Sequence, residues 1–554
     1  MWQRTLWFMY NNNWLKKHGG LNAMAGRKER RMRLGVIFKT LGFLFLAFIL
    51  FVAGLFIYRI RDRNRGYELD LALYDHQARS LWAGVAKQKI TPELVDIWYD
   101  ADQNARFEPE KGDTIIDRND NNRFDAFWLA GFHQARPASG VHDDLWARTV
   151  VVSDGVHSVA MVTIDAIGYF HNYVVDVRKE LIEQRIPVDH VIISATHNHE
   201  VPDLMGLWGE TWFKSGINRE YLKFVETRIL DSIKEAVLSL QPVRIEAAVI
   251  ESRDTDLVRD SRPPVIMDDD IRLLRLVTVK NDSLLGVMMN YGNHPETLSS
   301  KNTLVTADFC HYWIKGIEEG ITYDGEMKRP GVGGMALFFN GAVGGLMTTL
   351  GLEVHDPWLN RSFDEASFEK ARAQGYRLAA LVLDQMENGP WQPVGEKSIR
   401  LRAKTILLPV QNTHFLLAGG LGLFDRGFIG WKNVRSEVNV LQMGRVWILT
   451  VPGEINPEIV NGGIQVPEGA DYDGPPVEVP ALRDQIDSPF VFVVGLANDE
   501  IGYIMPKTHW DENEPFTYDY TRAPYGEINS LGPDTGPLIH KHLSELIREL
   551  QTKE

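Results

Sequence analysis

Cysteine is almost absent from this sequence, which has 554 residues and a single cysteine, Cys310. One cysteine excludes a disulfide within the chain, and it excludes a zinc site built from several thiolates. Because Cys310 stands among apolar residues in "VTADFCHYW", we expect a thiol of the core rather than a nucleophile.

Most of the chain carries no net positive charge. Residues 1–65 carry a net charge of +11, from 13 Lys and Arg against 2 Asp and Glu, whereas residues 66–554 carry −26, from 46 against 72. Nucleic-acid binding needs basic surfaces, so this balance argues against it. The 44% of hydrophobic residues predicts a folded body with a large core.

A long hydrophobic run lies near the N-terminus. Residues 40–58, "TLGFLFLAFILFVAGLFIY", hold no charge, and as a helix they would span about 28 Å, close to the hydrocarbon thickness of a bilayer. Basic residues flank the run on both sides, and we favour the preceding cluster, 27–33, as the cytoplasmic one. The sequence therefore predicts a single-pass membrane protein whose body lies on the extracytoplasmic side, in a periplasm or outside the cell. A cleaved signal peptide is the alternative.

Two similar acidic loops follow within residues 98–126. Each places side-chain oxygens at alternate positions and closes with a carboxylate four residues later: Asp100, Asp102, Asn104 and Glu108, then Asp117, Asn119, Asn121 and Asp125. Such oxygens suit the roughly six to eight ligands of Ca²⁺, although the central glycine of an EF-hand loop is missing. The tandem repeat predicts structural calcium sites, with a solvated polar loop as the alternative.

From about residue 145 the pattern alternates between β-branched runs and helical stripes, which indicates a mixed α/β or α+β body. A hairpin is expected around Asp154-Gly155. Helices are expected at 172–186, 218–240, 364–388 and 534–551, and strands at 189–197, 243–250, 271–279, 284–292, 399–409, 437–451 and 489–496.

Side chains that bind metals stand just after four of these strands. "VIISATHNH" ends in His197 and His199, "LGVMMNYGNH" in His294, "RVWILTVPGE" in Glu454, and "FVFVVGLANDEIGY" in Glu500 and Tyr503. Sheet proteins assemble sites in such loops, and residues two apart on an extended chain project to the same side. Histidines with a carboxylate and an open position match catalytic zinc, which acidifies a water and polarises a carbonyl. A core histidine among ordinary loop residues is the alternative.

The order of "ATHNHEVPD", "NHPETLS", "PGE", "GLANDEIGYIMP" and "YDYTRAPYG" resembles the catalytic domain of neutral, non-lysosomal ceramidases, which are zinc-dependent amidases. The resemblance runs from about residue 127 to the C-terminus and implies stacked mixed β-sheets flanked by helices. It implies zinc bound by His197, His294, Glu454 and Tyr503, with His199 as the acid that serves the leaving amine or the oxyanion. It also implies that Arg259 or Arg262 stabilises negative charge, and that Tyr518 lies at the same centre.

Further positions near these motifs have lesser roles. The resemblance suggests that Asp165 and Asp308 orient histidine ligands from behind. Trp208, Trp212 and Phe213 follow the histidine loop, and they would form an apolar lip for an acyl chain or lie buried under a neighbouring loop.

The sequence departs from the family at its Gly-Asp-Val-Ser-Pro segment, which carries an active-site serine. The corresponding stretch, "FFNGAVGGLMTT", has Gly344 and Gly345 in place of Gly-Asp, has Met347 near the serine position, and holds no serine. The family's C-terminal sandwich domain has no counterpart in this sequence, whereas the acidic loops are additional.

We therefore predict five regions: a basic cytoplasmic segment (1–39), a transmembrane anchor (40–58), a juxtamembrane linker (59–97), calcium loops (98–126) and a zinc hydrolase domain (127–554). The expected cofactors are Zn²⁺ and Ca²⁺, and the expected reaction is hydrolysis of an amide bond in an N-acylated, sphingolipid-like substrate. A non-catalytic, calcium-stabilised envelope protein and a zinc hydrolase for another ester or amide bond are the alternatives.

Overall fold

The computed structural model describes residues 36–74, 80–252, 256–395, 398–430 and 432–552, so most of the predicted cytoplasmic segment lies outside the described residues. The chain divides into two compact units, Met1–Arg59 and Ile60–Glu554.

The first unit is described as one helix, α1 (Val36–Arg59), which contains the predicted apolar run. Its mean hydropathy reaches 2.7, and its 24 residues span about 36 Å. That length exceeds the roughly 30 Å of a bilayer's hydrocarbon core. The length and composition of α1 are those of a membrane span and equally those of a signal sequence.

The described part of the second unit contains eight further α-helices: α2 (His171–Glu183), α3 (Arg219–Leu238), α4 (Phe309–Glu318), α5 (Phe368–Asn388), α6 (Thr413–Leu421), α7 (Pro457–Asn461), α8 (Tyr525–Ile528) and α9 (Thr535–Gln551).

The strands of the described residues are β1 (Asp70–Leu73), β2 (Trp82–Lys89), β3 (Ile97–Tyr99), β4 (Thr114–Ile116), β5 (Gly140–Val141), β6 (Trp146–Ser153), β7 (Ser158–Ile164), β8 (His190–Ala195), β9 (Gln241–Ile250), β10 (Arg259–Asp260), β11 (Ile271–Thr278), β12 (Leu284–Tyr291), β13 (Leu304–Val305), β14 (Gly320–Tyr323), β15 (Glu326–Pro330), β16 (Met335–Asn340), β17 (Met347–Thr348), β18 (Val354–Asp356), β19 (Arg361–Phe363), β20 (Gln392–Pro393), β21 (Ile399–Pro409), β22 (Asn433–Met443), β23 (Val446–Thr450), β24 (Glu454–Ile455), β25 (Val491–Val494) and β26 (Tyr503–Ile504).

Two mixed sheets form the centre of the second unit. The larger has the strand order β16-β12-β11-β9-β2-β6-β7-β8, with β20 paired to β9, and the smaller has the order β1-β21-β22-β23-β25. One buried cluster joins Met161, Ile192 and Leu337 of the larger sheet to Leu441 and Phe492 of the smaller, so the core lies between them. Helices α3 and α4 pack on the larger sheet and α9 on the smaller. The predicted fold of stacked mixed sheets flanked by helices is confirmed.

Two sequence predictions need correction. Residues 59–97 are not a linker, because β1 pairs with β21 and β2 lies between β9 and β6 in the larger sheet. The stretch "WAGVAKQK" has few β-branched residues, which concealed β2. The predicted strand at 437–451 is two antiparallel strands, β22 and β23, joined by a tight turn at Gly444, whose φ is 55°. Apolar residues on both sides of the turn hid the break.

The two sheets bring their strand ends together. Strands β23 and β25 run parallel and lead into β24 and β26, where Glu454 lies opposite Tyr503. Strands β8 and β12 of the larger sheet end just before the loops of His197 and His294. Ala195 N donates to Leu496 O at 3.2 Å, which joins the end of β8 to the segment after β25.

Candidate metal centre and its pocket

Three buried histidine rings meet at these strand ends. The ring centroids of His197, His199 and His294 lie between 4.9 and 5.6 Å from one another, and one nitrogen of each ring lies within 4.8 Å of the others. Glu454 faces the same point, with its Oε2 3.1 Å from His294 Nε2 and 3.5 Å from His197 Nε2. Imidazole nitrogens and a carboxylate within this space are the donor set of a metal centre.

Backbone carbonyls fix the orientation of two of the rings. His197 Nδ1 donates to Ile167 O and His294 Nδ1 donates to Met347 O, both at 2.7 Å. A carbonyl only accepts, so each neutral ring keeps a lone pair on Nε2, and both lone pairs face the Glu454 carboxylate. Acceptors at this distance repel unless a proton or a cation lies between them. The arrangement therefore fits a bound metal ion.

Burial and mutual contact shift the pKa values of the centre. Burial raises the pKa of Glu454, but His197 and His294 outweigh it and hold that pKa below its ordinary value. Burial lowers the pKa of His294, but Glu454 and Glu296 outweigh it and raise that pKa to about 9. In a metal-free protein this histidine is therefore protonated at pH 7, and metal must displace that proton.

His199 has a different environment from the other two rings. Its Nδ1 lies 3.3 Å from Glu296 Oε2 without hydrogen-bond geometry, and its buried Nε2 has no partner among the described residues. Burial and the neighbouring rings hold the pKa of His199 well below its ordinary value, so the ring is neutral at pH 7. Gly131, with φ 100°, makes room for it, because a Cβ there would lie 2.5 Å from His199 Cβ.

Tyr503 lies beside the centre in the pair of β24 and β26. Its side chain is buried, and burial together with the nearby Glu454 carboxylate raises the pKa of the phenol well above its ordinary value. The structure thus brings together the four residues that the resemblance assigns to zinc, His197, His294, Glu454 and Tyr503. Their role as ligands stays a prediction.

The two histidines of "THNH" reach one centre by a different geometry from the predicted one. Strand β8 ends at Ala195, and His197 has a φ of 63°, so the chain is not extended there. A left-handed conformation is strained for a residue with a side chain, and such strain is commonest at functional sites.

Two buried polar residues that sequence reasoning missed hold the loops of the centre. Asn340 Nδ2 donates to Thr196 O and to Asn293 O, both at 2.9 Å, and so links the two histidine loops. Arg136 donates to the carbonyls of Ala130 and His199. No local pattern marks either residue, because their partners lie far along the chain.

The other predicted catalytic residues lie elsewhere. Arg262 is buried and pairs with Glu527 at 2.8 Å. Arg259 is exposed on β10, which pairs with β17 next to the His294 loop. Tyr518 is 42% exposed. None of the three lines the pocket described below, and their catalytic roles stay predictions.

The two predicted supporting aspartates contact backbone amides. Asp165 accepts from Trp146 N at 2.8 Å, and Asp308 accepts from Phe309 N at 2.5 Å as the N-cap of α4. They therefore hold the backbone near the centre, and these contacts do not include a histidine ring. Cys310 is buried, as expected for a core thiol.

The segment that lacks the family serine is closely packed. A Cβ on Gly344 would lie 2.5 Å from Glu454 O, and a Cβ on Gly345 would lie 2.9 Å from the carboxylate of Asp260. Neither position accepts a side chain without a shift of its surroundings. The two glycines are therefore required by this packing.

An apolar pocket leads to the metal centre. It encloses about 780 Å³ including its open mouth, within the range of small-molecule sites. Its apolar lining is Ile167, Phe170, Met205, Leu207, Trp208, Phe415, Phe424, Phe428, Val434, Ile501 and Leu531, and its polar lining includes His197, His199, Arg426, Glu454, Glu500, Tyr503 and Tyr525. Trp208 is thus part of the wall, whereas Trp212 and Phe213 are 70% and 79% exposed.

Glu500 supplies a second carboxyl group to this pocket. Burial, followed by the nearby Glu454 charge, raises the pKa of Glu500 well above its ordinary value. Its Oε1 accepts from Gly502 N at 2.8 Å, and its Oε2 has no partner among the described residues.

The two acidic loops share one backbone conformation. Asp100 accepts from Ala105 N at 2.7 Å, and Asp117 accepts from Asn122 N at 2.8 Å. Ala105 and Asn122 occupy the sixth position of their loops and have φ values of 59° and 60°. This left-handed conformation is the one that glycine provides in an EF-hand loop. The absence of glycine therefore does not prevent the turn.

The carboxylates of these loops are only partly gathered. Oxygens of Asp100, Asp102 and Asp113 lie within 4.8 Å of one another, and Asp113 was not predicted. Glu108 pairs with Lys111 at 2.7 Å. In the second loop the amides of Asn119 and Asn121 donate to Asp125, at 2.9 and 2.7 Å. Calcium binding stays a prediction.

The part of the chain that contains the histidine loops matches a known protein family. Residues 127–344 match the family model of neutral/alkaline non-lysosomal ceramidase, N-terminal. The predicted resemblance to neutral ceramidases is confirmed. His197, His199 and His294 lie inside the matched stretch, whereas Glu454 and Tyr503 lie beyond it. No curated protein matches the chain significantly.

Two solved ceramidase structures share the fold. Neutral ceramidase from Pseudomonas aeruginosa has a TM-score of 0.60 and 16% identity, over 86% of this chain and 75% of its own. A ceramidase complexed with C2 has a TM-score of 0.59 and 16% identity, over 86% of this chain and 76% of its own. Family match and fold together indicate a hydrolase that resembles neutral ceramidase.

Proposed function

We propose that the protein is a membrane-anchored, zinc-dependent hydrolase that cleaves the amide bond of an N-acylated lipid. The observation that carries this proposal is a buried cluster of three histidines and Glu454 facing an apolar pocket. The polar cluster suits a reacting carbonyl and the apolar walls suit an acyl chain. The ceramidase fold and the family match support the same reaction class.

Zinc would be held by His197, His294, Glu454 and Tyr503 in this proposal. When bound there, it would polarise the scissile carbonyl and acidify the attacking water. The inward-facing Nε2 lone pairs of the two histidines fit this role, and the hydrogen bonds of their Nδ1 atoms keep the rings in place. The three-histidine set that includes His199 is the alternative coordination.

His199 would move the proton. As a neutral imidazole it accepts a proton from the attacking water on its unpartnered Nε2, and the resulting imidazolium then donates that proton to the departing amine. Glu296, 3.3 Å from Nδ1, stabilises the transient positive charge. Arg136 keeps the ring in position through its bond to His199 O. No serine is needed for this route.

The proposed reaction is tested by hydrolysis of N-acyl sphingoid bases presented to the purified full chain. We expect release of the fatty acid, loss of activity after chelation, and recovery on adding Zn²⁺. Substrates of increasing acyl length report on the pocket, and their kcat/KM should rise with length because each buried methylene contributes about 0.8 kcal/mol. An acyl ester and an N-acetylated sugar serve as comparison substrates. Activity on either of these without activity on the lipid amides would contradict the proposed substrate, and inactivity on all three would favour a non-catalytic protein.

The acidic loops are proposed to bind calcium in a structural role. Calcium is then expected to raise the thermal midpoint of the full chain, and Asp100→Asn and Asp117→Asn should each reduce that rise. Asp282→Asn, at an exposed aspartate of another turn, serves as the control. An equal calcium effect in all four proteins would contradict the proposal.

A further inference from the structure

Three segments that line the pocket also expose large apolar side chains. The first segment is 204–213, which follows the loop of His197 and His199. The second contains α6 and continues to Phe428, and the third is 525–531. All three also contribute walls to the pocket. Their exposed residues, here called the apolar rim, are Trp212, Phe213, Leu417, Leu421, Tyr525 and Ile528, with exposed fractions between 44% and 79%.

These segments also contact one another. The first abuts the second, because a Cβ on Gly206 would lie 2.0 Å from Leu423 O. The second is joined to the third by Asn412 Nδ2, which donates to Ile528 O at 2.8 Å. The rim therefore belongs to one continuous border of the pocket.

Helix α6 has no polar face. Its sequence, "THFLLAGGL", is apolar after the first two residues, and Leu417 and Leu421 are 55% and 44% exposed. A surface helix in water normally presents polar residues outwards. Exposed leucines on a helix without such residues suit contact with an apolar phase.

The chain that leaves α1 is fixed beside this same border. Phe428 N donates to Ile60 O at 2.9 Å. Arg435 pairs with Asp62 at 2.7 Å, and Arg63 pairs with Asp425 at 2.8 Å. Gly427 permits the approach, because a Cβ there would lie 2.5 Å from Arg61 O. The segment that lines the pocket thus also holds the first residues after the apolar helix.

From these contacts we infer that the apolar rim is a membrane-contact surface, through which an acyl chain passes from the bilayer into the pocket. The inference rests on the proposed anchor and lipid substrate. A bilayer is the occupant that the structure favours, because the apolar helix continues directly into residues bound to the pocket wall. The rim would lie at the level of the lipid headgroups and upper acyl chains.

Site-specific fluorescence on the full chain in phosphatidylcholine vesicles tests this inference. Trp212→Cys, Leu417→Cys and Ile528→Cys are each labelled with an environment-sensitive dye, and Cys310 does not interfere because it is buried. Matched controls are Ile182→Cys and Leu238→Cys, at exposed apolar residues of α2 and α3. The first turns of α2 and α3 contact Asp425 through Asn172 and Arg219. Ile182 and Leu238 lie about 15 and 28 Å from these contacts along the axes of their helices.

We expect the rim labels to shift to shorter wavelength and to be quenched by lipids with a quencher on the acyl chain. The control labels should show neither effect. Rim labels that behave like the controls, in protein that floats with the vesicles, would overturn the inference while leaving the anchor intact. Protein that does not float would overturn the anchor and the inference together.

Membrane contact by the rim and the proposed hydrolysis can each be refuted without refuting the other. Lipid contact is read without turnover, so it is expected to persist in a His294→Ala protein that has lost hydrolysis. Conversely, Leu417→Asn with Leu421→Asn should slow hydrolysis of a lipid embedded in vesicles about tenfold, and leave hydrolysis of a short-chain soluble amide unchanged. Equal loss on both substrates would show that these leucines support only the fold.

Discussion

Replacing Glu454 with glutamine is expected to reduce hydrolysis by about a thousandfold or more while leaving the fold intact. The carboxylate faces both His197 Nε2 and His294 Nε2, so its loss removes the anionic member of the donor set. A loss of about 4 kcal/mol of stabilisation in the transition state corresponds to a factor of roughly 10³. His294→Ala should have the same effect, because it removes the ring between Met347 O and Glu454. Measurement of kcat and of bound zinc on the same preparations checks both variants.

Two comparisons make this prediction specific. His355→Ala, at an exposed histidine of β18, is the matched control and should keep full activity and metal. His199→Ala should keep its zinc but lose about 10²- to 10⁴-fold in kcat, as expected for a proton-transferring group. Loss of zinc from His199→Ala would show that this ring is a ligand. Retention of full activity in Glu454→Gln would contradict the assignment of the centre.

Replacing Arg136 with methionine is expected to be strongly destabilising, by about 3–5 kcal/mol, because the buried carbonyls of Ala130 and His199 lose their donor and Glu200 loses its buried cationic partner. Arg136 and Glu200 are 3.2 Å apart, and both side chains are fully buried. Burial, only partly offset by Arg136, already raises the pKa of Glu200 to about 8. The variant should unfold at lower denaturant concentration, and its His199 loop should lose order because Arg136 also bonds His199 O.

A control variant distinguishes the effect of removing a buried arginine from the effect of removing a positive charge. Arg228→Met removes a partly exposed arginine from its pair with Asp231, and we expect it to change stability by less than about 1 kcal/mol. Denaturant unfolding followed by fluorescence compares the first transition of each protein. Equal midpoints for Arg136→Met and the wild type would contradict the proposed role of the buried pair.

The sequence predicts the elements that bring the centre together. Strand ends precede His197, His294 and Glu454, because apolar runs mark β8, β12 and β23 in the sequence. Ends of parallel or adjacent strands meet at an edge, so residues after them converge. The resemblance then points to Tyr503, which the register of β24 and β26 places opposite Glu454.

Other features depend on contacts between distant segments, which no local pattern records. Asn340 links two loops and Arg136 pairs across the site only after the sheets have stacked. The left-handed φ of His197 is imposed by its surroundings. Helix α6 was not predicted because an apolar run with two glycines shows no helical alternation. The place of β2 within the large sheet was missed because strand order is set by pairing rather than by composition.

Zinc content of the full chain, purified without chelator, tests the central claim most directly. We predict about one zinc per chain by elemental analysis, removed by a chelator and restored on adding zinc, with His294→Ala retaining almost none. Zinc absent from the wild type even after addition, or bound equally by His294→Ala, would contradict the metal centre and with it the proposed hydrolysis.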